Sequence, residues 1–240
     1  MKNLIGNFKK SLGIKTKILG IFYVNRLPQK FEYFKDTACT ALARAFITGK
    51  TLIFGPKKYP QMCSGADYFL KLKEMHDAEA MDVYVNKEHV FKNKNICGGF
   101  IKSLPAFPSR LKNKFIVIRP IKGNEKPDVV VLLVNPAQAG RIAGLMNYDK
   151  YVEGQFSPNQ PTCLAFFAPL VTKKIHVNFL DYYDRYYQGR VAGKNIWPEE
   201  KMIISIIYPN FKTILTNVSM SPHGSFRPRL SPQKVDRIPK

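Results

Sequence analysis

The sequence predicts an α/β fold: a single domain with a central mixed β-sheet of about five to seven strands flanked by helices, and a flexible basic C-terminal tail. Three observations carry this. Phe115–Arg119 (FIVIR) and Asp128–Val134 (DVVVLLV) are near-continuous β-branched runs, the pattern of strands covered on both faces. The second run passes through Asn135-Pro136 into AQAGRIAGLMNY, a strand feeding a helix with proline at its first position. From Ser219 the chain reads SMSPHGSFRPRLSPQKVDRIPK, rich in Pro, Ser and Arg with little to bury. Residues 1–218 are therefore assigned to the domain and 219–240 to the tail.

In chain order, Leu4, Ile5, Phe8 and Leu12 share one helical face with Lys9 and Lys10 opposite, a helix that packs on the domain or, alternatively, lies on a membrane surface. Ile18–Val24 is a first buried strand. A helix capped by Asp36 or Thr37 runs from Cys39 to about Ile47 and stops at Gly49. Thr51–Phe54 is a short strand. Ser64 and Asp67 have the spacing of a capping box for a helix that continues through Tyr68, Phe69 and Leu72. A further helix is expected near Asn86–Lys92. Cys97-Gly98-Gly99 reads as a turn or a place of close backbone approach. Pro169 is expected to end or kink the apolar segment that begins at Cys163. Ile175–Leu180 and Met202–Tyr208 complete the strands.

Composition narrows the functional classes. The chain has 240 residues, 45% of them hydrophobic, which is ordinary for a globular protein. Its 38 Lys+Arg against 17 Asp+Glu give a net charge of +21. That balance favours an acidic partner (nucleic acid, an anionic membrane or an acidic protein) or else marks an inert basic surface. No run approaches the length of a transmembrane helix, and MKNLIGNFKKSLGIK has no apolar core of a secretion signal. A cytoplasmic protein is expected, in which four cysteines act as thiols, metal ligands or redox groups rather than structural disulfides.

The candidate chemistry centres on those cysteines. Cys39 and Cys63 each fall at a predicted helix start, where unpaired N–H groups and the helix dipole favour thiolate. Cys97 and Cys163 are their candidate partners, and four sulfurs suit zinc or an iron–sulfur cluster. The spacing matches no local zinc or ferredoxin motif, and the alternative is that cysteine fills the core as a small hydrophobe. Ser64 and Gly65, and Asn135 and Gln138, lie at helix starts suited to an anion or small molecule. No complete dinucleotide or nucleoside-triphosphate loop is present. A cysteine nucleophile would need His76, His89, His176 or His223 as base, and none sits in a motif. Tyr182, Tyr183, Tyr186 and Tyr187 around Arg185 and Arg190 suit base stacking with phosphate contact, or equally one packed side of a helix.

Three readings follow. The first is a cysteine-thiolate metal or iron–sulfur site with a redox or sensing role. The second is a basic module for nucleic acid or another acidic partner. The third is a small-molecule enzyme with a pocket at the strand C-termini near Asn135, Pro136 and Gln138.

The ordered blocks Cys39-Thr-Ala-Leu-Ala-Arg-Ala, Gly49-Lys-Thr-Leu-Ile-Phe, Cys63-Ser-Gly-Ala, Pro127-Asp-Val-Val-Val and Asn135-Pro-Ala-Gln-Ala, with the later Cys163, resemble the domain-of-unknown-function 169 family of archaeal and bacterial cytoplasmic proteins. The resemblance spans about Ile14 to Tyr208. It implies no activity, but it implies cysteine in relatives at the positions of Cys39, Cys63 and Cys163. It also implies a later glycine–cysteine block where this chain reads Asp181-Tyr-Tyr-Asp-Arg and has no cysteine, so a cluster that uses that later cysteine would need Cys97 in its place.

Overall fold

The computed structural model describes residues 2–27, 32–33, 37–55, 63–149, 156–159, 161–180, 185, 190–191, 194–195 and 197–224. The strands are β1 (Leu19–Val24), β2 (Glu32–Tyr33), β3 (Leu52–Phe54), β4 (Phe115–Pro120), β5 (Val129–Val134), β6 (Phe156–Asn159), β7 (Ile175–Asn178), β8 (Arg190–Val191), β9 (Lys194–Asn195) and β10 (Met202–Ile207). The helices are α1 (Lys2–Leu12), α2 (Ala38–Thr48), α3 (Ser64–Phe69), α4 (Asp77–Asp82), α5 (Lys94–Ser103), α6 (Pro136–Met146), α7 (Ala168–Thr172) and α8 (Tyr208–Asn217).

The sheet is mixed, as expected, and larger than expected: eight strands in the order β2-β3-β4-β1-β5-β10-β7-β6, with β8–β9 a separate ribbon. Among the described residues, only the two outer pairs, β2–β3 and β6–β7, run parallel. The inner strands are antiparallel throughout, with Ile21 opposite both Ile118 and Val129. The two short outer strands, β2 and β6, account for the extra count, because neither carries an apolar run of its own.

Side chains alternate across a strand, so β5 serves two cores at once. Val129, Val131 and Leu133 face a layer that contains Ala41 and Leu42 of α2 and Ala66 and Phe69 of α3. Val130, Leu132 and Val134 face the opposite layer, with Phe8 and Leu12 of α1, Ile142 and Leu145 of α6, and Phe211 and Ile214 of α8. Phe8 meets Phe211 edge to face at 5.6 Å. Of the apolar face read on α1, Phe8 and Leu12 pack in this core with Ile5 partly buried beside them, whereas Leu4 is exposed. Among the described residues no helix is long and apolar enough to cross a membrane.

Helix ends follow local chemistry. Thr37 caps α2 by accepting the Thr40 N–H at 3.1 Å, and Gly49 closes it in the left-handed region at φ 70°. Pro136 opens α6 behind the Asn135 cap.

Four local expectations are corrected. Cys63 rather than Ser64 is the cap residue of α3, without a side-chain capping bond, and α3 stops at Phe69. The helix expected near Asn86–Lys92 starts earlier: α4 continues into a π-helical turn, Val83–Lys87, and His89 takes a positive φ of 53°. Gly98 and Gly99 lie inside α5, which the Asn93 cap and the buried Cys97 sustain despite two poor helix formers. Pro169 sits in the first turn of α7, where its missing N–H costs nothing, so it starts a helix instead of ending one.

The tail assignment at Ser219 includes residues that are folded: Pro222–Gly224 form a 3₁₀ turn against α6, where Arg141 Nε donates to the His223 carbonyl at 2.7 Å. Residues 225–240 lie outside the described residues.

Candidate functional site

Three elements on one side of the sheet each bring a cysteine to the same place. Cys39 is in the first turn of α2, Cys63 caps α3, and Cys163 lies in a 3₁₀ helix, Thr162–Phe166, that Pro161 introduces. The 3₁₀ helix packs against both α2 and α3. All three thiols are buried and none is in a disulfide.

The Cys163 thiol is hydrogen-bonded to those of both Cys39 and Cys63. These two bonds, followed by burial and by the charge either neighbour would carry, push its ionisation well above the ordinary thiol range. These effects favour the protonated form of Cys163.

Aromatic hydroxyls border the cluster. A Cβ placed on Gly65 would stand 3.3 Å from Tyr84 Oη and 3.4 Å from Cys163 Sγ, so phenol and thiol converge on the bare face of that glycine. Tyr23, on β1, donates its hydroxyl to the Phe166 carbonyl at 3.1 Å. Burial, then the Asp128 carboxylate and Cys163, raise the Tyr23 phenol well above its usual range. Tyr23 and Tyr84 carry no signal in the sequence: Tyr23 sits in an apolar strand and Tyr84 in a π-turn that breaks helical spacing.

Cys97, the fourth candidate, is not in the hydrogen-bonded trio. It is buried on α5, and burial alone raises its thiol. The adjacent glycines border a groove of about 390 Å³ between α4 and α5, lined by Asp77, Met81, Lys94, Asn95 and Lys102. Among the described residues no three His, Cys, Asp or Glu side chains stand ready-set around a metal position. Metal ligation at Cys163 would require loss of its thiol proton.

The anion-site expectation separates into two. Ser64 and Gly65 lie beside the thiols, in the first turn of the short α3. Asn135 and Gln138 do not form an open site: they close a reciprocal capping box at 2.8 and 2.9 Å, and Gln138 Nε2 donates to the Leu12 and Gly13 carbonyls, both at 3.0 Å. The end of α1 thus covers the turn after β5.

Arg185 is likewise committed to the fold. It is buried and donates to the carbonyls of Phe179, Trp197, Pro198 and Lys201. For Arg185, that agrees with the packing alternative rather than with phosphate contact. The four neighbouring tyrosines lie outside the described residues, and Arg190 is described in its backbone alone.

Of the candidate bases, His176 is buried on β7 with Nε2 2.6 Å from Thr172 Oγ1, and burial followed by Lys174 lowers its ionisation to about 4. The ring of His223 packs against Gly144 of α6.

No curated protein and no solved structure matches the chain. A family model does match, over residues 7–217, which takes in β1 through α8 and all four cysteines. The chain belongs to the domain of unknown function 169 family, described as uncharacterised ArCR.

Proposed function

We propose that this protein uses Cys39, Cys63 and Cys163 as a thiolate site for a soft metal ion or an iron–sulfur cluster, with a redox or sensing role in the cytoplasm. The observation that carries the reading is the double hydrogen bond of Cys163 to the other two thiols. Burying three cysteines for packing alone does not require their sulfurs to meet. Sulfur donors select zinc, copper(I) or iron–sulfur centres over hard cations. Three donors leave a coordination position for an outside ligand, the pattern of reactive rather than closed zinc sites. A four-sulfur cluster would need a further ligand, because Cys97 stands apart.

The test is an ultraviolet–visible spectrum with elemental analysis of protein purified without oxygen. Broad visible absorption with stoichiometric iron, or colourless protein with one zinc, is expected, and either should be lost in Cys39→Ala, Cys63→Ala and Cys163→Ala but kept in Cys97→Ala. Metal-free, colourless protein would overturn the reading.

A second reading draws on charge. The +21 balance supports an acidic macromolecular partner, and the exposed Lys94 and Lys102 beside the α4–α5 groove add local support. Retention on heparin that falls steeply with salt is the expected result.

A further inference from the structure

We propose that Cys163 is the shared partner of two alternative disulfides, one to Cys39 and one to Cys63, so that a hydroperoxide switches the site off by removing two of its three sulfurs. The consequence for metal binding rests on the function proposed above; the disulfide chemistry does not.

The geometry sets Cys163 at the centre. Its thiol touches both neighbours, whereas Cys97 is bonded to none of the three. Cys39 and Cys163 are carried by elements that pack directly on each other, as are Cys63 and Cys163. A disulfide needs Cβ atoms only about 3.5–4.5 Å apart, so thiols already in hydrogen-bond contact require little more than side-chain rotation. The approach is small. Cys39, Cys63 and Cys163 are 4%, 7% and 3% exposed, and the bare face of Gly65 lies over the Cys163 sulfur. Sulfurs so buried would be reached by a small hydroperoxide sooner than by a protein disulfide donor.

The sulfur of Cys39 or Cys63 attacks the terminal oxygen of the hydroperoxide, the O–O bond breaks, and the alcohol leaves with the thiol proton. The product is a sulfenic acid, oxidised by two electrons. The Cys163 sulfur then attacks that sulfur, the S–S bond forms, and water leaves with the hydroxyl and the Cys163 proton. One thiol of the trio remains.

The experiment oxidises the reduced, metal-free full chain with a stoichiometric alkyl hydroperoxide, blocks remaining thiols, and maps disulfides by mass spectrometry without reduction. Links from Cys163 to Cys39, to Cys63 or to a mixture of both are expected, with Cys97 still a thiol. Cys97→Ser should behave like the parent. Cys163→Ser, checked for an unchanged melting transition, should form intramolecular disulfide at least about tenfold more slowly. A Cys39–Cys63 link with Cys163 reduced, a link to Cys97, or no disulfide would overturn the proposal.

Cobalt(II) titration of the reduced and oxidised forms separates the two claims. Thiolate-to-cobalt absorption in the reduced form alone supports both. Equal binding by both forms overturns the switch. Disulfide formation without cobalt binding by the reduced form keeps the alternative disulfides and removes the metal site.

Discussion

Cys163 and Cys39 are hydrogen-bonded through their thiols although helices α3 to α6 and strands β3 to β6 intervene between them in the chain. Contact at such separation is achieved by the sheet. β3 continues α2 into one half of it and β7 follows the 3₁₀ helix in the other, and the layer above holds both cysteines. The chemistry proposed for the site depends on this contact, and so do several consequences.

Gly65 controls access to the sulfur. Gly65→Ala should leave global stability within about 1 kcal/mol, since improved helix propensity offsets a contact of 3.3–3.4 Å with Tyr84 and Cys163. Gly65→Leu should crowd both groups and slow alkylation of the trio while Cys97 labelling in denaturant is unchanged. Equal labelling rates in parent and Gly65→Leu would show that the glycine guards nothing.

Gln138 acts as structural glue. Gln138→Ala removes half of the α6 capping box and leaves the Leu12 and Gly13 carbonyls without their amide donor. Urea unfolding should show a loss of about 2–3 kcal/mol. Thiol reactivity and any bound metal should be unaffected.

Arg185 holds four carbonyls from Phe179 to Lys201. Arg185→Lys keeps the charge but loses the planar fork, so it should destabilise by about 2 kcal/mol or more. If Arg185 instead bound phosphate, the lysine variant would retain stability and lose heparin affinity.

His176 makes stability pH-dependent in a defined window. Its ionisation is lowered from 6.5 to about 4 by burial and Lys174. The unfolded chain therefore takes up a proton on this group below about pH 6.5 while the folded chain does so only below about 4. Stability should fall as pH drops through that interval, by up to about 3 kcal/mol from this residue. His176→Gln should flatten that part of the curve in denaturant titrations at successive pH values; an unchanged slope would locate the dependence elsewhere.

Local patterning was enough for the strands at Leu19–Val24, Phe115–Pro120, Val129–Val134 and Met202–Ile207, for α2 between Thr37 and Gly49, and for α6 behind Asn135-Pro136. In each, apolar period and cap residues agree with the final environment. It misled at Gly98-Gly99 and Pro169, where a neighbouring cap or a first-turn position reverses the usual meaning of the residue. It pointed to Cys39 and Cys63 because helix starts are local features.

What the sequence by itself determined was therefore the class of fold, the central strands, the basic character and the four thiols. What only the tertiary structure decided was which thiols meet: Cys163 joins Cys39 and Cys63, Cys97 does not, and Gln138 and Arg185 turn inward to backbone carbonyls. The physical reason is that hydrogen-bond and sulfur contacts reach a few ångströms, whereas their partners are distant in the chain. Strand order and the layer each helix occupies set those distances, and neither is written in any local period.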